Sequence, residues 1–164
     1  MPVEVRDACS KDADVIAAIY RTYVLSSTAT MELDPPDATE ILSRMEEVRR
    51  RGLPFLVAEE QGEIVGYGYA TSFRPRPGYR FTVEDSIYLR ADCGGRGLGR
   101  RLLQAVMDAC RKAGCKQMVA VIGGENVSSV ALHSALGFAA VGVLRGAGWK
   151  FDQPQNITLM QREL

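Results

Sequence analysis

A chain of 164 residues with 20 Lys and Arg against 20 Asp and Glu carries no formal net charge, which argues against general electrostatic binding of nucleic acid. Its 46% hydrophobic content suits one domain over residues 1–164, since a chain of about 150 residues buries roughly two-thirds of its unfolded surface. No window is apolar enough to span a membrane, MPVEVRDACS lacks signal-peptide features, and Cys9, Cys93, Cys110 and Cys115 show no metal-ligand or disulfide spacing, so a cytoplasmic protein with reduced thiols and no metal is expected.

VEVRDA alternates as a short strand, and Val15, Ile16, Ile19, Tyr20, Tyr23 and Val24 mark a first helix. Pro35 and Pro36 break the chain. Asp37 followed by Glu40 is a capping-box-like start for a helix carrying Ile41, Leu42, Met45 and Val48, and Gly52 ends it. PFLVAEE and EIVGYGYATSF read as a hairpin joined at Gln61-Gly62. RPRPGYR is a loop, and FTVEDSIYLR is a further strand. Next comes CGGRGLGRRLLQAVMDACRKAG, whose Leu98, Leu102, Leu103, Val106, Met107 and Cys110 recur at helical spacing until Gly114 stops the run. KQMVAVI is a strand, VSSVALHSALG a helix, and FAAVGVLRGAG and NITLMQREL are closing strands. This order predicts an α/β domain with a mixed central sheet flanked by helices.

The entrance to the glycine-rich helix poses a physical problem. A helix N-terminus carries partial positive charge, yet Arg96, Arg100 and Arg101 crowd its first turn. A strand running through glycines into a helix N-terminus is also an anion site, because backbone amides converge and no side chain blocks the approach. A bound pyrophosphate or other multiply charged anion would make the arginines favourable. The alternative is a tightened turn with the arginines in solvent. No Gly-Lys-Ser/Thr follows, as a P-loop requires. Gly95, Gly97 and Gly99 do not match the dinucleotide fingerprint either.

GGRGLG after SIYLRADC resembles the acetyl-CoA pyrophosphate loop of the GNAT N-acetyltransferase superfamily, Gln/Arg-x-x-Gly-x-Gly/Ala. Gly97 and Gly99 fill its two small positions, and Gly94 stands where the family usually has Gln or Arg. TVEDSIYL, MVAVIGGEN, SVALHSALGF and GWKF, in that order, are similar to the phosphinothricin and methionine sulfoximine N-acetyltransferase branch. The resemblance implies the GNAT fold, with the sheet splayed between SIYL and KQMVAVI. The pantetheine arm of acetyl-CoA then lies along Ile87, Tyr88 and Leu89, and backbone N–H groups there can hold the thioester carbonyl. The pyrophosphate lies over Gly95, Arg96, Gly97, Leu98, Gly99 and Arg100, so a Cβ at Gly97 or Gly99 is expected to obstruct it. Asn126 matches a cofactor-contacting Asn; by itself it reads as a helix cap.

For the acceptor, the resemblance makes Glu84 the acid at the active centre, able to take a proton from the substrate ammonium. Read alone, it is a solvent-facing strand glutamate. Strand alternation puts Thr82, Glu84 and Ser86 on one face and Asp85 on the other. His133 stands where many GNAT enzymes carry a Tyr that protonates the departing thiolate; it reads as that acid, as a second base, or as a bystander. Arg74, Pro75 and Arg76 match a substrate-contacting loop, with Arg80 close by, and a guanidinium fork suits a carboxylate or phosphinate. Glu84, Asp85 and Ser86 complete the expected substrate set. Lys150 or Trp149 is expected near a homodimer interface and the substrate.

The implied activity is direct acetyl transfer from acetyl-CoA to the α-amine of a small amino acid or its phosphinothricin- or methionine-sulfoximine-type analogue. The alternatives are a protein or peptide N-terminal acetyltransferase and a non-catalytic acyl-CoA-binding module.

Overall fold

The computed structural model describes residues 2–164. In chain order its elements are β1 (Glu4–Asp7), α1 (Ala13–Ser26), α2 (Ala38–Arg50), β2 (Phe55–Glu60), β3 (Glu63–Ser72) and β4 (Thr82–Leu89), then α3 (Leu98–Lys112), β5 (Gln117–Gly123), α4 (Val127–Ala135), β6 (Ala139–Lys150) and β7 (Gln153–Glu163). The seven strands form one sheet in the order β1-β2-β3-β4-β5-β7-β6. Every neighbouring pair is antiparallel except β4 and β5, whose parallel pairing uses α3 as its crossover.

Local chemistry explains most boundaries. Asp37 caps α2 by accepting the Glu40 N–H at 2.9 Å, and Ile41, Met45 and Val48 form its buried stripe. Gln61 and Gly62 both adopt positive φ, as a two-residue hairpin turn demands. At the end of α3 the Cys115 N–H reaches back to the Cys110 carbonyl across Gly114, a glycine-terminated helix end.

The closing hairpin is longer than its sequence suggests. It turns at Phe151 and Asp152, both at positive φ, so β6 runs on to Lys150 and β7 starts at Gln153. A Phe at that position gives no turn signal, and the glycines at 146 and 148 read as a strand end although both lie within β6.

Two cores lie on opposite faces of the sheet. Ile16, Tyr20 and Val24 of α1 and Ile41 and Met45 of α2 pack against Phe55, Val57 and Tyr67. On the other face Leu102, Leu103, Val106 and Met107 of α3 meet Val83, Met118, Phe138 and Met160. Each fully buried aliphatic side chain contributes roughly 1.5–3 kcal/mol, so α3 is held firmly against β4. That contact fixes the glycine loop at the end of β4.

Candidate active site

The parallel pairing of β4 with β5 covers Thr82↔Gln117, Val83↔Met118 and Glu84↔Val119, and then stops. From Asp85 to Leu89 the β5-facing edge of β4 has no strand partner among the described residues, while the other edge stays paired to β3. Unpaired backbone N–H and C=O groups are costly unless they face water or a ligand. The gap opens into a cleft of about 920 Å³, lined by Ile87, Tyr88 and Leu89 on one side and by Ile122, Asn126 and Val127 on the other. The expected splay is present.

At the far end of the cleft, Gly97 is the N-cap of α3 with φ 75° and no side-chain cap. Its left-handed backbone favours glycine, and the first-turn N–H groups of α3 lack a capping side chain. Gly94, Gly95, Gly97 and Gly99 line the cleft there. A Cβ on Gly97 would meet nothing within 4 Å, whereas one on Gly99 would meet Leu132 Cδ2 at 3.3 Å, so Gly99 is small for internal packing. Leu98 turns its side chain into the core and is not among the cleft-lining residues.

The three arginines divide. Arg100 lines the cleft and is exposed. Arg96, expected over the phosphates, is instead ion-paired with Glu60 of β2. Arg101 donates to the Val3 carbonyl at 2.7 Å and faces the sheet edge. Only one of the three cations answers the helix-dipole problem. Asn126 is a cap as well as a cleft residue: its Oδ1 accepts the Ser129 N–H at 3.1 Å and the Ser128 hydroxyl at 3.0 Å.

At the closed end of the gap, consecutive residues of β4 point to opposite faces. Glu84 faces the α1/α2 side with Ser86 and Tyr88, and these three lie opposite Thr71, Tyr69 and Tyr67 of β3 respectively. It is half-buried, and burial followed by the nearby Asp85 charge pushes its carboxyl above the ordinary range, with Arg74 acting in the opposite sense.

Asp85 points the other way, and this corrects its expected place among the substrate contacts. Its Oδ2 lies 2.8 Å from His133 Nε2, both side chains are nearly inaccessible, and its Oδ1 is buried without a partner. His133 Nδ1 lies 2.7 Å from the Ser129 carbonyl, which can only accept, so Nδ1 carries a proton. Burial alone would lower the His133 pKa, but the Asp85 hydrogen bond and charge outweigh it and raise it. Nε2 and Asp85 Oδ2 share the second hydrogen bond of the ring. Both ring nitrogens of His133 are thereby engaged inside the protein, so neither is free to take a proton from the acceptor or to give one to a thiolate, and of the three readings the bystander fits this geometry.

Arg74, Pro75, Arg76 and Arg80 are exposed, as a recognition loop requires. Arg74 stacks over Phe73 at 4.4 Å, and Arg80 over Phe81 at the same distance. Lys150 is not a substrate contact: it is 2% exposed, and its ammonium donates to backbone carbonyls of its own chain. Its neighbour Trp149 is exposed.

The sequence reading also missed an aromatic layer. Tyr20, Tyr23, Tyr67, Tyr69 and Tyr88, five of the six tyrosines, cluster with Phe55 on the Glu84 side of the sheet. The available signal was Tyr67, Tyr69 and Tyr88 at same-face positions of adjacent strands. In a second hollow of about 980 Å³ beside α1, Arg6 is paired with Asp12 and Glu59, and Arg90 with Glu63 and Asp92.

Residues 17–138 match the family model described as Acetyltransferase (GNAT) family. The chain is 44% identical to a phosphinothricin N-acetyltransferase of Alcaligenes faecalis, over 98% of this chain and 82% of that one. It is 39% identical to an L-methionine sulfoximine/L-methionine sulfone acetyltransferase of Pseudomonas paraeruginosa, over 100% of this chain and 96% of the relative. Among solved structures, a GNAT superfamily phosphinothricin acetyltransferase from Sinorhizobium meliloti in complex with AcCoA superposes with TM-score 0.96 at 43% identity, covering 100% of this chain and 89% of the other.

Proposed function

Because the chain belongs to the acetyltransferase (GNAT) family, we propose that it acetylates the α-amine of a small amino acid or an analogue of the phosphinothricin or methionine sulfoximine type, with acetyl-CoA as the acetyl donor. The observation that carries this reading is the strand gap that closes at Glu84↔Val119 and runs to the uncapped N-terminus of α3. A strand edge with free amides at one end and an anion-binding helix end at the other fit a thioester arm and its pyrophosphate.

Acetyl-CoA supplies the activated acetyl group. The chain's residues do the rest. Ile87, Tyr88 and Leu89 present backbone to the pantetheine arm, and residues 95 to 100 receive the pyrophosphate, with Arg100 as the supporting cation. Asn126 borders the cleft opposite them. Glu84 takes the proton from the acceptor ammonium, since only the neutral amine is a nucleophile, and its raised pKa brings it nearer the working range. Arg74, Pro75 and Arg76, with Arg80, contact the carboxylate or phosphinate of the acceptor, and Ser86 shares the Glu84 face. His133 and Asp85 form a buried pair on the opposite face of β4 and tie α4 to that strand.

The edge strand β6 exposes Val141, Val143, Leu144 and Trp149, a surface suited to a second copy in a homodimer. The four free cysteines fit a cytoplasmic setting.

Purified protein incubated with acetyl-CoA, a thiol-detecting reagent and a panel of amino acids, their phosphinate and sulfoximine analogues, and peptides tests the proposal. Release of CoA with the small amines is expected. Release with peptides alone would replace the acceptor class, and acetyl-CoA binding without release in any arm would refute catalysis.

A further inference from the structure

Lys150 is the last residue of β6 and sits between two exposed apolar neighbours, Trp149 and Phe151, yet its own side chain turns inward. Its Nζ donates to the Ser27 carbonyl at 2.6 Å, the Thr30 carbonyl at 2.8 Å and the Tyr23 carbonyl at 3.4 Å. An ammonium has three donors, and each is used on backbone. Two of these acceptors lie at the C-terminal end of α1, where carbonyls are left over and the helix dipole favours a cation. No carboxylate pairs with Lys150 among the described residues; Glu32 supplies the favourable charge nearby, and burial opposes it.

The segment so gripped is also held from other directions. The Tyr20 and Thr30 hydroxyls share a hydrogen bond of 2.8 Å. Thr28 rests on the bare backbone of Gly123 and Gly124, where an added Cβ would lie 2.2 Å from Thr28 O and 2.0 Å from Thr28 Oγ1. Ser27, Thr28 and Ala29 then form a wall of the cleft that holds Ile87 to Leu89 and Asn126.

We propose that Lys150 is a positioning residue that acts through Ser27–Thr30, holding this segment in place as the wall of the acetyl-CoA cleft before the ligand arrives. The proposal rests on the acetyl-CoA reading above. A loop held in its binding shape adds no ordering cost when ligand binds, while one that visits that shape a tenth of the time weakens apparent affinity about tenfold.

Lys150→Met keeps the stem and removes all three donors. The expected result is a rise of about tenfold in both the acetyl-CoA Kd by calorimetry and the acetyl-CoA KM, with kcat at saturation within about threefold. Amide hydrogen exchange should accelerate from Ser27 to Glu32 and stay unchanged in β4 and β5. Tyr20→Phe, which cuts the hydroxyl tie to Thr30 from a different element, should raise the same constants by a smaller factor. Unchanged acetyl-CoA Kd and loop exchange in folded Lys150→Met would overturn the proposal. If that variant does not fold, an unchanged Kd in Tyr20→Phe overturns it instead. Failure of the unaltered protein to bind acetyl-CoA would overturn the proposed activity along with this role, whereas equal binding by both forms overturns the role alone.

Discussion

Glu84→Gln separates proton transfer from every other contribution of the site. The amide keeps the shape and hydrogen-bonding capacity of the carboxylate but takes no proton near neutral pH. Its neighbours offer no substitute base: Asp85 is bonded to His133, and both nitrogens of His133 face acceptors. A positioned general base contributes about 10²- to 10⁴-fold, or roughly 2.7–5.5 kcal/mol of barrier, and without a stand-in the upper half of that range is expected. Glu84 sits where the strand gap closes and is not among the residues lining the cleft, so the acetyl-CoA KM should hold steady. The pH dependence has a definite sign. Burial and Asp85 raise the Glu84 pKa, so the rate should fall as pH drops through a value above the ordinary glutamate range. The variant should lack that limb. Stability moves the other way: a raised folded-state pKa gives stability that is complete below the unfolded value of about 4.3 and lost as pH rises through the folded value. At neutral pH the charged Glu84 is therefore a liability, and Glu84→Gln should melt at or above the wild-type temperature. Steady-state kinetics from pH 5 to 9 and thermal melts at pH 7 are the assays. A kcat within tenfold of wild type, or an acid limb that persists in the variant, would refute the assignment.

Asp85→Asn removes one partner of a buried pair and should cost about 3–5 kcal/mol in urea unfolding. Because His133 is raised in the fold, its stabilisation is full below an unfolded value of about 6.5 and lost as pH rises through the folded value, so the deficit should be larger at pH 5.5 than at pH 9. Arg100→Gln should raise the acetyl-CoA KM by about tenfold at low salt and by less at high salt, whereas Arg96→Gln should leave it nearly unchanged, since Arg96 is occupied by Glu60. Gly97→Ala forces an L-residue to φ 75° and should lose about 1–2 kcal/mol of stability while raising the acetyl-CoA KM, with denaturant melts and initial rates as the checks. Gly99→Val should destabilise as well, because its side chain must displace Leu132.

Much of the molecule was legible because its signals are local. The three- and four-residue spacing of α3 and its stop at Gly114, the Asp37 cap and the Gln61-Gly62 turn all act within a few residues of chain. Strand alternation likewise separated Glu84 from Asp85 before any partner was known. The run from SIYL through the glycines into a helix carried the candidate anion site and the family resemblance, since backbone amides at a helix start need no distant residue. What only the tertiary structure decided depends on groups far apart in sequence. Asp85 and His133 meet across 48 residues, Arg96 finds Glu60 across 36, and Lys150 grips Ser27 across 123. The point where β4 leaves β5, and the packing of five tyrosines beneath Glu84, follow from how α3, α1 and the sheet settle together. Periodicity sets which face a side chain takes, but its partner across the core is chosen by packing of the whole chain, and the roles of His133, Arg96 and Lys150 depend on that choice.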